Sequence, residues 1–179
     1  MDYQPNADAV RYFTADIWPL IRQRSPETEF LVIGSRPPAS VLKCGESPGV
    51  KVLGFVDDVR PYLRESAVYV APLRAGGGTK LKVLTAMACG AAIVSSPIGA
   101  EGIELQNGRD MWVEDSSAAT ASRVLALLND PDERRRIGTA GRLLVERLYS
   151  WPHIGEINER VYQTALELGP RNLLVREKR

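Results

Sequence analysis

The chain has 179 residues, 44% of them hydrophobic, and a formal net charge of +1. It is long enough for one domain with a sizeable core, and it carries too little excess charge for disorder or bulk attraction to nucleic acid. Cys44 and Cys89 form no CxxC pair, no apolar run approaches the roughly 18 residues of a membrane span, and the opening residues do not read as a leader, so none is expected. The expectation is a cytoplasmic protein whose function lies in a local arrangement of residues.

The opening Met1 to Asn6 reads as a loop feeding a helix from about Asn6 to Arg24, because Val10, Phe13, Ile17, Leu20 and Ile21 recur at helical spacing. Pro19 is expected to kink or restart that helix. Phe30 to Gly34 is a continuous apolar run ending in glycine, the pattern of a parallel strand covered on both faces. Residues 35–48 read as a loop rich in proline and glycine. Val50 to Val56 is a second strand, and Asp57 and Asp58 open a short helix reaching about Ser66. Val68 to Pro72 is the third strand and Ala92 to Ser95 the fourth. A second glycine-containing loop follows at Pro97 to Gly102, then a weak strand around Met111 to Val113.

The remainder reads as helical. Ser116 or Ser117 caps a helix through Asn129, and Asp130-Pro131-Asp132-Glu133 is a strong start signal for a second helix reaching Tyr149. Ser150 caps a third, from Trp151 to Leu168, which stops at Gly169-Pro170. Residues 1–169 thus form one domain, and the charged tail 170–179 is expected to fray. Strands alternating with helices predict an α/β fold, a doubly wound, Rossmann-like parallel sheet with helices on both faces and further helices at its C-terminal end. Ligands in such folds sit beyond the carboxyl ends of the strands. The loops at Phe55-Val56, Arg74 to Thr79 and Pro97 to Glu101 leave such ends and should converge there.

The stretch from Val70 to Gly90 has the layout of a phosphate site: a strand, three consecutive glycines at Gly76, Gly77 and Gly78, and a helix opening at about Thr79. Glycines remove side chains from the path of a ligand, and the free amides of a helix start favour an anion. Arg74, Lys80 and Lys82 add full charges nearby, although the spacing is not the Walker pattern. The plainer alternative is a tight turn with solvated basic residues. His153 is the one histidine, so neither a Ser-His-Asp hydrolase nor a histidine metal site is expected. Arg134-Arg135-Arg136 reads as a solvated helix face, with contact to anionic lipid headgroups at the inner face of the membrane as a weaker alternative.

Taken in order, Leu53-Gly54-Phe55-Val56, Pro72-Leu73-Arg74, Gly76-Gly77-Gly78-Thr79-Lys80-Leu81-Lys82, Ala86 to Gly90, Ile93-Val94-Ser95, Gly99-Ala100-Glu101-Gly102 and Tyr149-Ser150-Trp151 resemble the C-terminal domain of bacterial group 1 glycosyltransferases, which have the two-domain GT-B fold. The resemblance runs from Phe30 to about Tyr162, and Met1 to Asn6 resembles the segment after the first strand of that domain. It implies that the first strand and the acceptor-binding N-terminal domain are missing. It further implies retaining transfer of a sugar from a nucleoside diphosphate to a glycan or lipid-linked acceptor, as in surface polysaccharide synthesis, with no metal or cofactor.

Carried over residue by residue, backbone at Phe55 and Val56 faces the base, and Gly77, Gly78, Thr79 and Lys80 surround the diphosphate. Arg74, Gly76, Lys82 and Glu101 join the same site. The family usually carries two glutamates spaced E-x(7)-E, one near the donor sugar and one on the ribose; here those positions are Gly77 and Thr85. A threonine hydroxyl can still bond a ribose, as a shorter and neutral partner. Two alternatives remain open: a non-catalytic nucleotide or nucleotide-sugar binding module, and another GT-B chemistry such as nucleotide-sugar epimerisation.

Overall fold

The computed structural model describes residue 1 and residues 3–168. Helix α1 (Gln4–Tyr12) passes through a π-helical stretch, Phe13–Ile17, into α2 (Trp18–Arg24). Pro19 lies in the first turn of α2, where its ring and missing N–H prevent the ordinary bond to the preceding turn, and the ladder widens there. Phe13, Ile17 and Ile21 are buried as the spacing predicts, whereas Leu20 is exposed. Strand β1 (Phe30–Ile33) receives this helix through a cluster of three rings, with Phe13 and Phe30 centroids 4.4 Å apart and Trp18 5.9 Å from Phe30. The Trp18 indole also donates to the Pro48 carbonyl at 2.9 Å.

Residues 35–48, expected as a loop, contain α3 (Ala39–Leu42) and a 3₁₀ turn, Lys43–Glu46. Val41 and Cys44, three residues apart, turn inward together, and that burial organises the segment. Strand β2 (Val50–Gly54) stops two residues short of Val56, because Gly54 bends away at a positive φ of 75°. Then come α4 (Arg60–Glu65), β3 (Tyr69–Ala71), α5 (Leu81–Ala88), β4 (Ile93–Ser95) and α6 (Pro97–Ala100). The segment Pro97 to Gly102 is therefore partly helical, with the Ser96 hydroxyl accepting from the Gly99 N–H as its cap. Strand β5 (Trp112–Val113) precedes α7 (Ser117–Asn129), α8 (Pro131–Leu148) and α9 (Trp151–Leu168). Ser116 and Asp130 cap α7 and α8 through their side chains. The tail at 170–179 lies outside the described residues.

All strand pairs are parallel, as expected of an α/β doubly wound fold, but hydrogen bonds divide them into two groups, β1-β2 and β3-β4-β5. Phe30 and Gly34 N–H bond to Gly49 and Gly54 on the β2 side, so the peptides of Leu31 and Ile33 face the other edge. Tyr69 N–H bonds to Ala92, which turns the Val70 peptide away from β4 in the same manner. Val94 packs with Phe13, Ile17, Val32 and Leu127 on one face, while Ile93 packs with Val83, Met87, Met111 and Leu144 on the other. Helices thus cover both faces, and among the described residues none is long and apolar enough to cross a membrane.

Helix α8 approaches closely because it carries glycines where it crosses other backbone. A Cβ at Gly138 would stand 2.1 Å from the Gly90 carbonyl oxygen, and one at Gly141 2.6 Å from that of Asp110. Gly138→Ala is therefore expected to lower stability by about 1–3 kcal/mol through forced displacement of α8. Gly155→Ala on α9, where a Cβ meets nothing within 4 Å, should stabilise slightly through helix propensity. Thermal denaturation of both variants checks the pair, and similar behaviour of the two would contradict the close approach.

Candidate functional site

The end of β4 fixes the end of β3. Ser96 N–H donates to the Ala71 carbonyl at 3.1 Å, and the Ser96 hydroxyl donates to the Leu73 carbonyl. Gly99 lets α6 press onto this junction, since a Cβ there would sit 2.4 Å from Ser95 Oγ and 2.6 Å from the Ala71 oxygen. The glycine loop leaves from this anchored strand end. Gly76 and Gly78 take positive φ values of 113° and 78°, which side-chain-bearing residues rarely adopt.

The helix expected to open at Thr79 opens at Leu81. Leu81 N–H bonds to the Thr79 carbonyl at 2.9 Å across Lys80, whose φ of −81° and ψ of 55° make an inverse γ-turn. That turn removes the Leu81 amide from the set expected to face an anion, and the Val83 and Leu84 amides bond to the Lys80 carbonyl. The charge of the site therefore rests on Lys80. Its side chain is 5% exposed, its ammonium donates to the Gly76 carbonyl at 2.7 Å, and it stands 3.7 Å from Glu101 Oε2.

Beside this lysine lies an open cavity of about 370 Å³. Gly77, Gly78, Thr79, Lys80 and Glu101 form its polar wall, and Leu84, Gly102, Ile103 and Tyr149 complete it. Tyr149 was missed as a site residue, although it is one of the family landmarks; its hydroxyl accepts from the Glu104 N–H at 2.9 Å and so ties the loop after Glu101 to the end of α8.

The other expected residues are not part of that wall. Phe55, 70% exposed, and Val56 follow the end of β2. Lys82 is exposed on α5, and the exposed Thr85 spends its hydroxyl hydrogen on the Leu81 carbonyl at 2.8 Å. Gly76 contributes the carbonyl that holds Lys80. Arg74 is engaged elsewhere: it grips Asp8 of α1 through Nε at 3.0 Å and Nη2 at 2.7 Å, and its guanidinium lies 4.6 Å from the Tyr12 ring centroid. Two of the three residues of the basic run are also committed to the fold, and Arg135 remains on the solvated face beside Asp132. Arg134 donates to the Leu127 and Leu128 carbonyls at the end of α7, and Arg136 grips Glu133 and the Gly108 carbonyl.

A parallel sheet wrapped on both faces, with a glycine loop and a buried lysine beyond its strand ends, defines a Rossmann-like α/β domain of the kind that makes up half of a GT-B fold. Residues 1–130 match the family described as Glycosyl transferases group 1, and the chain belongs to that family. It is 30% identical over 150 residues to the GDP-mannose-dependent monoacylated alpha-(1-6)-phosphatidylinositol monomannoside mannosyltransferase of Corynebacterium glutamicum, covering 77% of this chain and 39% of that one. The chain thus spans about two fifths of that relative's length. Among solved structures, the C-terminal domain of a glycosyl transferase group 1 family protein from Francisella tularensis superposes with a TM-score of 0.65 at 19% identity, covering 84% of this chain and 82% of that one. Anabaena HepE in complex with UDP and glucose superposes with a TM-score of 0.65 at 17% identity, covering 83% of this chain and 43% of that one.

The Asp8–Arg74 contact yields a pH prediction. The hydrogen-bonded Arg74 guanidinium holds the Asp8 carboxyl below the usual aspartate range. A depressed folded-state pKa gives stability that is present above the unfolded value, about 3.9, and lost as pH falls through the folded one. Wild type should therefore melt above Asp8→Asn at neutral pH, and the gap should close in acid. A gap that does not narrow as the pH is taken below about 3.9, the unfolded value, would contradict this assignment.

Proposed function

We propose that residues 1–169 are the donor-binding half of a retaining glycosyltransferase, which moves a sugar from a nucleoside diphosphate to a glycan or lipid-linked acceptor. The observation that carries the proposal is the buried Lys80 ammonium, presented by a glycine loop to an open cavity beyond the carboxyl end of β3. Burial leaves little solvent to screen that cation, which favours a compact, highly charged anion such as a diphosphate. In this reading Gly77, Gly78, Thr79 and Lys80 surround the diphosphate, backbone at Phe55 and Val56 faces the base, and Thr85 turns its hydroxyl from Leu81 to the ribose.

The relatives support it: one is named for its dependence on GDP-mannose, and HepE was solved with UDP and glucose. The acceptor side belongs in this proposal to a further GT-B domain, together with a first strand that would join β1 to β3, whose outer edges carry no strand among the described residues. The reaction takes place in the cytoplasm, at the inner face of the membrane where the acceptor is lipid-linked.

Transfer in a GT-B enzyme takes place between two domains that orient both substrates. The purified 179-residue chain is therefore expected to bind nucleoside diphosphates without transferring sugar, and robust transfer to any acceptor would overturn the assignment to one half of the site. Within the chain, Lys80→Ala should weaken nucleoside diphosphate binding by roughly 1–3 kcal/mol, the cost of losing a hydrogen bond to a charged group, and leave nucleoside binding nearly unchanged. Lys80→Met, which keeps the packed stem of the side chain, controls for collapse of the loop. Calorimetric titration with nucleoside and diphosphate reads the difference, and equal losses would place Lys80 away from the phosphates.

A further inference from the structure

Glu101 is the one carboxylate among the described residues that line the cavity. It follows α6 as that helix's C-cap, so it arrives from β4 rather than from the glycine-loop helix. Beside a lysine that is to hold a diphosphate, a carboxylate is electrostatically adverse, because two anions then compete for one ammonium.

Nor does the fold require it there. Lys80 already has a structural partner in the Gly76 carbonyl at 2.7 Å, whereas Glu101 stands at 3.7 Å with its side chain 67% exposed. An ion pair that long and that wet stabilises little. The group is accounted for by what it offers a ligand. The rest of the polar wall supplies cationic and amide hydrogen-bond donors and the Thr79 hydroxyl, and Glu101 alone supplies two acceptor oxygens of full negative charge. A ligand that uses both sides must present an anion and, a few ångströms away, hydroxyl hydrogens.

Resting on the donor-site reading above, we propose that Glu101 accepts hydrogen bonds from hydroxyls of the transferred sugar and makes the cleft select the sugar-bearing diphosphate over the bare one. A vicinal diol can fill both carboxylate oxygens, and a charged acceptor makes each bond stronger than a neutral one. The same charge repels a bare nucleoside diphosphate, which brings more negative charge and no hydroxyl to that position. Discrimination therefore comes from one residue acting with opposite sign on the two ligands.

The test measures equilibrium binding of UDP, UDP-glucose, GDP and GDP-mannose to the wild-type chain, Glu101→Gln and Glu101→Ala. The side chain is 67% exposed, so neither substitution removes packing from the core. For the base that binds, the advantage of the sugar conjugate over its diphosphate should fall about tenfold in Glu101→Ala, the loss of a charge-assisted hydrogen bond, and by less in Glu101→Gln, which keeps one acceptor oxygen. The bare diphosphate should bind as tightly as before or more tightly. Equal changes for conjugate and diphosphate would overturn the proposal and make Glu101 a partner of Lys80 alone. Absence of binding by wild type to all four ligands would overturn the donor-site reading itself, and this inference with it.

Discussion

Burial of β4 on both faces is the constraint on which the rest of the structure depends. Its three residues Ile93, Val94 and Ser95 are all buried, with Val94 on the side of α1, α2 and α7 and Ile93 on the side of α5 and α8. A strand enclosed in this way must satisfy its backbone through neighbours, and β3 and β5 supply them in parallel. The same strand then reaches beyond its own end. Ser96 bonds to Ala71 and Leu73, so the start of the glycine loop is fixed by the core.

The loop itself is closed by a charge turned inward. Lys80 sits at the centre of a tight turn, loses nearly all solvent contact and donates to the Gly76 carbonyl, so one side chain both sets the loop's shape and concentrates positive charge at the cavity. A lysine in this position is unlike an exposed one. Its stem is packed, its ammonium is held in place, and little rotamer freedom remains to be lost when an anion arrives. Glu101 beside it supplies a charge of opposite sign with most of its surface in water.

Arg74 illustrates how neighbouring basic residues take different tasks. It stands two residues before the first glycine of the loop, yet Asp8 and Tyr12 hold it against α1. A planar guanidinium suits that two-point grip on a carboxylate and a ring face. The consequence is mechanical: α1 is tied to the segment that precedes the glycine loop. Contact between Pro5 and Gly76, where a Cβ would meet the proline at 3.3 Å, reinforces it. Arg134 and Arg136 likewise act on helix ends and loops, while Arg135 stays exposed beside Asp132 on the surface of α8.

The sequence by itself determined what depends on local pattern. Apolar runs located all five strands, the Ser116 and Asp130 caps set the starts of α7 and α8, and Pro19 marked the break between α1 and α2. The glycine cluster located the cleft, because three consecutive residues without side chains are a local property. Tertiary structure decided the rest. Whether Lys80 or Arg74 faces the cavity depends on the Asp8 carboxylate, sixty-six residues before Arg74 in the chain, and no periodicity reports such a pairing. Tyr149 joins the wall from the end of α8, which the winding of the sheet separates from the glycine loop, whereas Glu101 was already expected there from the loop that leaves β4. The helical turns at 39–46 were hidden because Pro37, Pro38, Gly45 and Pro48 signal a loop locally. Burial of Val41 and Cys44, a non-local gain, overrode that signal.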